Sequence, residues 1–123
     1  MKRLLVALTL VGALITTAFA DPQYRLQIPL GYQQFTSVST SSAVSLASGV
    51  PSTGSTGIPN GSTSVVIYVE SAGIRWRDDG TAPTSSVGNP IAAGQAFVYS
   101  GALPKLQFIG QTGSPTVNVT YYQ

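Results

Sequence analysis

The chain contains no cysteine and no histidine. Disulfides are thereby excluded, as are metal sites built on thiolate or imidazole. The Ser-His-Asp and Cys-His machineries of nucleophilic catalysis are excluded as well. Charge is also scarce: Asp, Glu, Lys and Arg make up 8% of the residues, against roughly 25% in an ordinary soluble domain. A surface with so few charges is made of Ser, Thr, Asn, Gln and Gly, or is covered by partners. Lys2 and Arg3, at the extreme N-terminus, account for the net charge of +2. Beyond Ala20 the basic Arg25, Arg75, Arg77 and Lys105 balance the acidic Asp21, Glu70, Asp78 and Asp79. No basic footprint for nucleic acid results.

A helical pattern of useful length is missing after Ala20, yet the hydrophobic content is 43% over 123 residues. That supplies a core for one domain and argues against disorder. The N-terminus reads differently. Met1-Lys2-Arg3 precedes an apolar run from Leu4 to Ala20 that ends in Ala18-Phe19-Ala20. Basic stretch, apolar stretch and small-residue site together form a secretory signal pattern, with cleavage expected between Ala20 and Asp21. The apolar run is expected to be a hydrophobic, signal-like helix ahead of the β domain. A retained membrane anchor, at the short edge of spanning length, and a buried helix or arm packed against a partner are the other readings. Any membrane contact is expected only through residues 1–20, if they are retained. Residues 21–123 are expected to form one domain.

Within that domain, short β-branched runs alternate with Gly, Pro, Ser and Asn breaks, the signature of a sandwich or barrel. Expected strands are Tyr24–Ile28, Gln33–Val38, Ala43–Leu46, Ser64–Glu70, Ile74–Arg77, Ala96–Tyr99, Lys105–Ile109 and Thr116–Tyr122. Val65, Ile67 and Val69 share one face at period two, as do Val117, Val119 and Tyr121. Eight such strands suit a small antiparallel β-sandwich of jelly-roll type. The stretch 48–64, SGVPSTGSTGIPNGSTS, is almost free of large apolar side chains and reads as a flexible surface loop. The Asn60-Gly61-Ser62 and Asn118-Val119-Thr120 sequons are read as coincidental in a Ser/Thr-rich chain.

The densest chemistry lies at Ile74-Arg75-Trp76-Arg77-Asp78-Asp79-Gly80, which holds the only Trp and four of the charges. In a strand, Ile74 and Trp76 face the core while Arg75 and Arg77 face away. Asp78-Asp79-Gly80 reads as a turn with Gly at the positive-φ position. Three readings of this cluster stand open. It is a local ion-pair network that includes Glu70, or an interface patch of Trp and Arg hot spots, or a Ca²⁺ site on Asp78 and Asp79. The last is poor in ligands, because Ca²⁺ takes six to eight oxygens. A carboxylate pair for glycoside hydrolysis among Glu70, Asp78 and Asp79 lacks an aromatic-lined cleft and a set of partner groups. Tyr121 and Tyr122 are consecutive, so in a strand one of them faces outward, where it can stack on a sugar or a neighbouring protein. The candidate interaction residues are Arg75, Trp76, Arg77, Asp78, Asp79 and Tyr122. No cofactor, metal or catalytic residue is expected.

Several phrases resemble a family of small proteins encoded by tailed bacteriophages. They are Ile28-Pro29-Leu30-Gly31-Tyr32-Gln33-Gln34, Ile74 through Thr84 (IRWRDDGTAPT), Val87-Gly88, Pro90-Ile91, Leu103, Lys105, Phe108-Ile109 and Asn118-Val119-Thr120-Tyr121-Tyr122. The middle phrase carries most of the likeness. Members lie among virion structural genes, so the resemblance implies a virion-associated β protein of the head decoration or cement kind, without catalytic residues. Relatives begin near the Ile-Pro-Leu-Gly-Tyr phrase, and the signal-like run departs from them. The expected function is a non-enzymatic virion accessory that binds other virion proteins or its own copies as a homo-oligomer. The alternative is a secreted or periplasmic bacterial module that binds carbohydrate or builds an appendage.

Overall fold

The computed structural model describes residues 27–54 and 56–123. The apolar segment 1–20 and most of the expected Tyr24–Ile28 strand lie outside them, and Gln27 and Ile28 precede the first strand. The described residues form an all-β structure of two antiparallel sheets with a single 3-10 turn, Leu103–Lys105. The strands are β1 Pro29–Phe35, β2 Val44–Ser45, β3 Thr53–Gly54, β4 Ser64–Glu70, β5 Ile74–Arg77, β6 Asn89–Ile91, β7 Ala96–Tyr99, β8 Gln107–Gly110 and β9 Thr116–Tyr122. One sheet has the order β3-β1-β9-β4-β7 and the other β2-β8-β5-β6.

Side-chain alternation explains the core. In the five-stranded sheet, Val65, Ile67, Val69, Val117, Val119 and Tyr121 all point inward and are buried, as do Gln33 and Phe35. Ile74, Ile91 and Phe108 do the same from the four-stranded sheet. The two inner faces meet through rings. Phe35 packs edge-on against Phe108 with centroids 5.2 Å apart, and Trp76 stacks on Phe97 at 5.3 Å and meets Tyr99 at 5.7 Å. The one polar side chain deep in this core, Gln33, is held at both ends. The Tyr121 hydroxyl donates to Gln33 Oε1 at 2.7 Å, and Gln33 Nε2 donates to the Gly57 carbonyl at 2.6 Å. Burial pushes the Tyr121 phenol well above its ordinary pKa.

Four expected strands fall on the observed ones: Ser64–Glu70, Ile74–Arg77, Ala96–Tyr99 and Thr116–Tyr122. The others need correction. The strand expected at Gln33–Val38 starts at Pro29 and ends at Phe35, because Ser37 takes a positive φ of 54° and turns the chain. That expected at Ala43–Leu46 shrinks to Val44–Ser45. That expected at Lys105–Ile109 starts only at Gln107, because Pro104 winds Leu103–Lys105 into the 3-10 turn. The stretch read as a flexible loop, 48–64, contributes β3 to the edge of the larger sheet, and its Ile58 packs against the core. Ser52 binds it to β1: its amide donates to the Gln34 carbonyl at 2.7 Å and its hydroxyl lies 2.6 Å from that of Thr36.

Candidate functional site

β5 runs through the middle of the smaller sheet, so its two faces have different fates. Trp76 faces inward, half-buried between Phe97 and Tyr99. Arg75 and Arg77 face away from the core, as the alternation requires. Arg75 does not reach into open solvent, however. The hairpin loop that follows β5 comes back beside it. Arg75 Nε donates to the Ser85 carbonyl at 3.1 Å and Nη1 to the Gly88 carbonyl at 2.8 Å. Gly88 has φ +131°, and a Cβ there would lie 3.1 Å from the Trp76 carbonyl, 3.2 Å from Pro83 Cβ and 3.3 Å from Arg75 Cβ. Only glycine allows that approach. Pro83 in the loop is buried, and so is Ile109, which sits opposite Arg75 on β8. Arg75 therefore staples its own loop to the sheet.

Arg77 forms an exposed ion pair with Asp79, which raises the guanidinium pKa and lowers that of the carboxyl, chiefly through the hydrogen bond between them. Asp79 also accepts from the Thr81 amide at 3.0 Å, closing the turn whose Gly80 has the anticipated positive φ of 85°. Asp78 points elsewhere and accepts from the Tyr99 hydroxyl at 2.8 Å. Desolvation, then the bond to Asp78, raises the Tyr99 phenol above its usual value. The ion-pair network expected from Glu70, Arg75, Arg77, Asp78 and Asp79 is thus a single pair, Arg77–Asp79, among the described residues. The two adjacent aspartates serve different partners and share no ligand geometry. No described group of three or more acidic residues is placed to hold a metal ion.

Glu70 is engaged on the opposite side of the molecule. Asn118 Nδ2 donates to Glu70 Oε1 at 2.7 Å, and Asn118 Oδ1 accepts from the Tyr32 hydroxyl and from Gln34 Nε2, the latter at 2.9 Å. These residues lie on the outer face of the larger sheet. Register places Tyr32, Thr120, Val66 and Val98 in one row across β1, β9, β4 and β7, with Gln34, Asn118, Tyr68 and Ala96 in the next. Tyr122 belongs to the same face, opposite Pro29 and Ser64. It is half-buried, whereas Tyr32 and Tyr68 are each 42% exposed and Val98 64%. Glu70 is the only charged side chain on this face of the described strands.

The structure thus divides the sequence candidates between two sheets. Arg75, Trp76, Arg77, Asp78 and Asp79 organise β5 and its loop, and Tyr122 lies on the outer face of the other sheet. Tyr32, Tyr68 and Val98, which sequence reasoning did not single out, share that outer face. The signal was the outward phase of the same alternation that identified the core. No family model, no curated protein and no solved structure matches the chain.

Proposed function

We propose that this is a non-catalytic structural protein of jelly-roll type, an accessory of a phage particle that docks in many copies on a repeated protein surface. With β3 set aside as an added edge, strand order 1-9-4-7 against 2-8-5-6 is that of two interleaved Greek keys, an arrangement common in capsid proteins and lectins. Fold alone leaves function open. The observation that carries the reading is the outer face of the larger sheet, with its exposed tyrosines and valine, fixed amide network and single carboxylate. Depletion of charge and enrichment in Tyr mark the centre of protein interfaces. Three strands of seven residues and one of four, about 4.8 Å apart with a rise of about 3.3 Å per residue, give a footprint of about 400 Å². A stable single interface uses about 800 Å² per partner. Attachment by this face therefore draws its strength from repetition on an array. The resemblance of IRWRDDGTAPT to phage proteins supplies the kind of array.

Mass spectrometry of purified particles tests this proposal. The wild-type chain is expected in the particle fraction. A soluble, folded Tyr68→Glu variant is expected to be missing from it. A chain that begins at Asp21 and occurs only outside particles would overturn the assignment.

A second reading rests on the same face. Tyr32 and Tyr68 present rings on either side of the Asn118 network, and jelly rolls also serve lectins. A secreted module binding a glycan would show affinity on a glycan array that Tyr68→Ala removes. A blank array with folded protein eliminates it.

A further inference from the structure

We propose that β7 is a self-pairing edge, through which two copies of this chain join their larger sheets into one. Sheet edges invite pairing and are normally blunted by shortness, proline or charge. Three of the four edges here are blunted. β2 and β3 have two residues each, and β6 carries Pro90 at its centre. β7, Ala96-Phe97-Val98-Tyr99, has four residues with no proline and no charge, and Val98 is 64% exposed.

The free groups can be assigned. Val69 uses both its backbone groups toward β7: its amide donates to the Gln95 carbonyl at 3.0 Å and its carbonyl accepts from the Gly94 amide at 2.7 Å. Antiparallel alternation gives Ile67 and Val65 the same orientation, so their partners Phe97 and Tyr99 are bonded to β4. Ala96 and Val98 then direct their N–H and C=O groups out of the sheet, and no described residue bonds to them.

This outward pattern is complementary to itself. A twofold axis beside Phe97 places Ala96 of one copy opposite Val98 of the other, twice, and each pair exchanges two backbone hydrogen bonds. A second copy fits better than a charged peptide, because neither side of the seam carries a charge to be matched. The seam brings the two outer faces edge to edge and doubles the docking footprint proposed above. The pairing itself does not depend on what that face binds. Four residues make a short seam, so the dimer is expected to dissociate on dilution and to be held firmly only where neighbours are already gathered.

Sedimentation velocity of the full chain over a concentration series is the first test. A reversible monomer–dimer equilibrium is expected, and Val98→Lys should abolish it, with the circular dichroism unchanged because the side chain is exposed. Cross-linking fixes the register in a chain that has no cysteine of its own. Opposed positions in a bonded pair are about 5.5 Å apart between Cα atoms, within disulfide reach. Ala96→Cys/Val98→Cys should therefore oxidise to a covalent dimer. Val98→Cys alone should not, because the two 98 positions are about 8.5 Å apart in this register, given the strand rise and spacing. A chain that stays monomeric at every concentration, or a dimer indifferent to Val98→Lys, overturns the proposal. A strict monomer in which the Ala96 and Val98 amides exchange slowly overturns it as well. Particle occupancy is read separately, so failure here leaves the docking assignment standing or falling on its own test.

Discussion

The Tyr121 hydroxyl and Gln33 Oε1 meet at 2.7 Å in the buried interior, joining β9 to β1 across 88 residues of sequence. Tyr121→Phe removes the donor and keeps the ring. A loss of about 1–3 kcal/mol is expected, the usual cost of taking a partner from a buried polar group. Urea midpoints of the two proteins measure it.

The same phenol sets a pH dependence. Its pKa is raised in the folded state by burial. Its contribution is fully present below the ordinary tyrosine value of about 10 and is lost as pH rises above that value toward the folded pKa. Stability should therefore fall through alkaline pH, and Tyr121→Phe should flatten that slope. Equal slopes in the two proteins would contradict the account.

Arg75 and Arg77 should separate cleanly. Arg75→Ala frees the Ser85 and Gly88 carbonyls, and is expected to cost about 1–2 kcal/mol and to expose the 78–88 loop to protease. Arg75→Lys should recover little, because a point charge cannot reach two carbonyls as the guanidinium fork does. Arg77→Ala, at an exposed ion pair, should leave the midpoint unchanged within error. Limited proteolysis beside urea titration reads both arms.

Trp76 bridges the sheets through Phe97 and Tyr99. Trp76→Ala should cost about 3 kcal/mol, at the low end for a large aromatic because the ring is half-buried. Being the only Trp, it also reports directly on sheet separation by fluorescence. Phe97→Leu should change that emission without unfolding the protein.

The core was legible wherever β-branched residues kept strict period two. Val65, Ile67 and Val69, and then Val117, Val119 and Tyr121, gave both the strand limits and the buried face. β6 was invisible because Asn89-Pro90-Ile91 reads as a break, and β3 because Thr53-Gly54 has no apolar residue. Both exist through their neighbours, β5 and β1, and not through their own propensity. The direction of Arg75 was legible; its destination was not, since that depends on a loop folding back to place Ser85 and Gly88 beside it. The outer face with Tyr32, Tyr68 and Tyr122 needed the register of β1, β9 and β4, which no local pattern contains.

The central position of β9 has a cost in time. The chain reaches the ribosome exit with β1 and β4 already made, yet the strand that must lie between them emerges after all the others. Until it arrives, the facing edges of β1 and β4 have no strand to pair with, and most of the larger sheet cannot form. Folding of the larger sheet is thus held back until residues 116–122 have been made. Contacts so distant in sequence also slow it once it begins. A nascent or clipped chain lacking residues 116–122 would leave Phe35, Val65 and Ile67 uncovered, and chaperones and proteases would meet that form first.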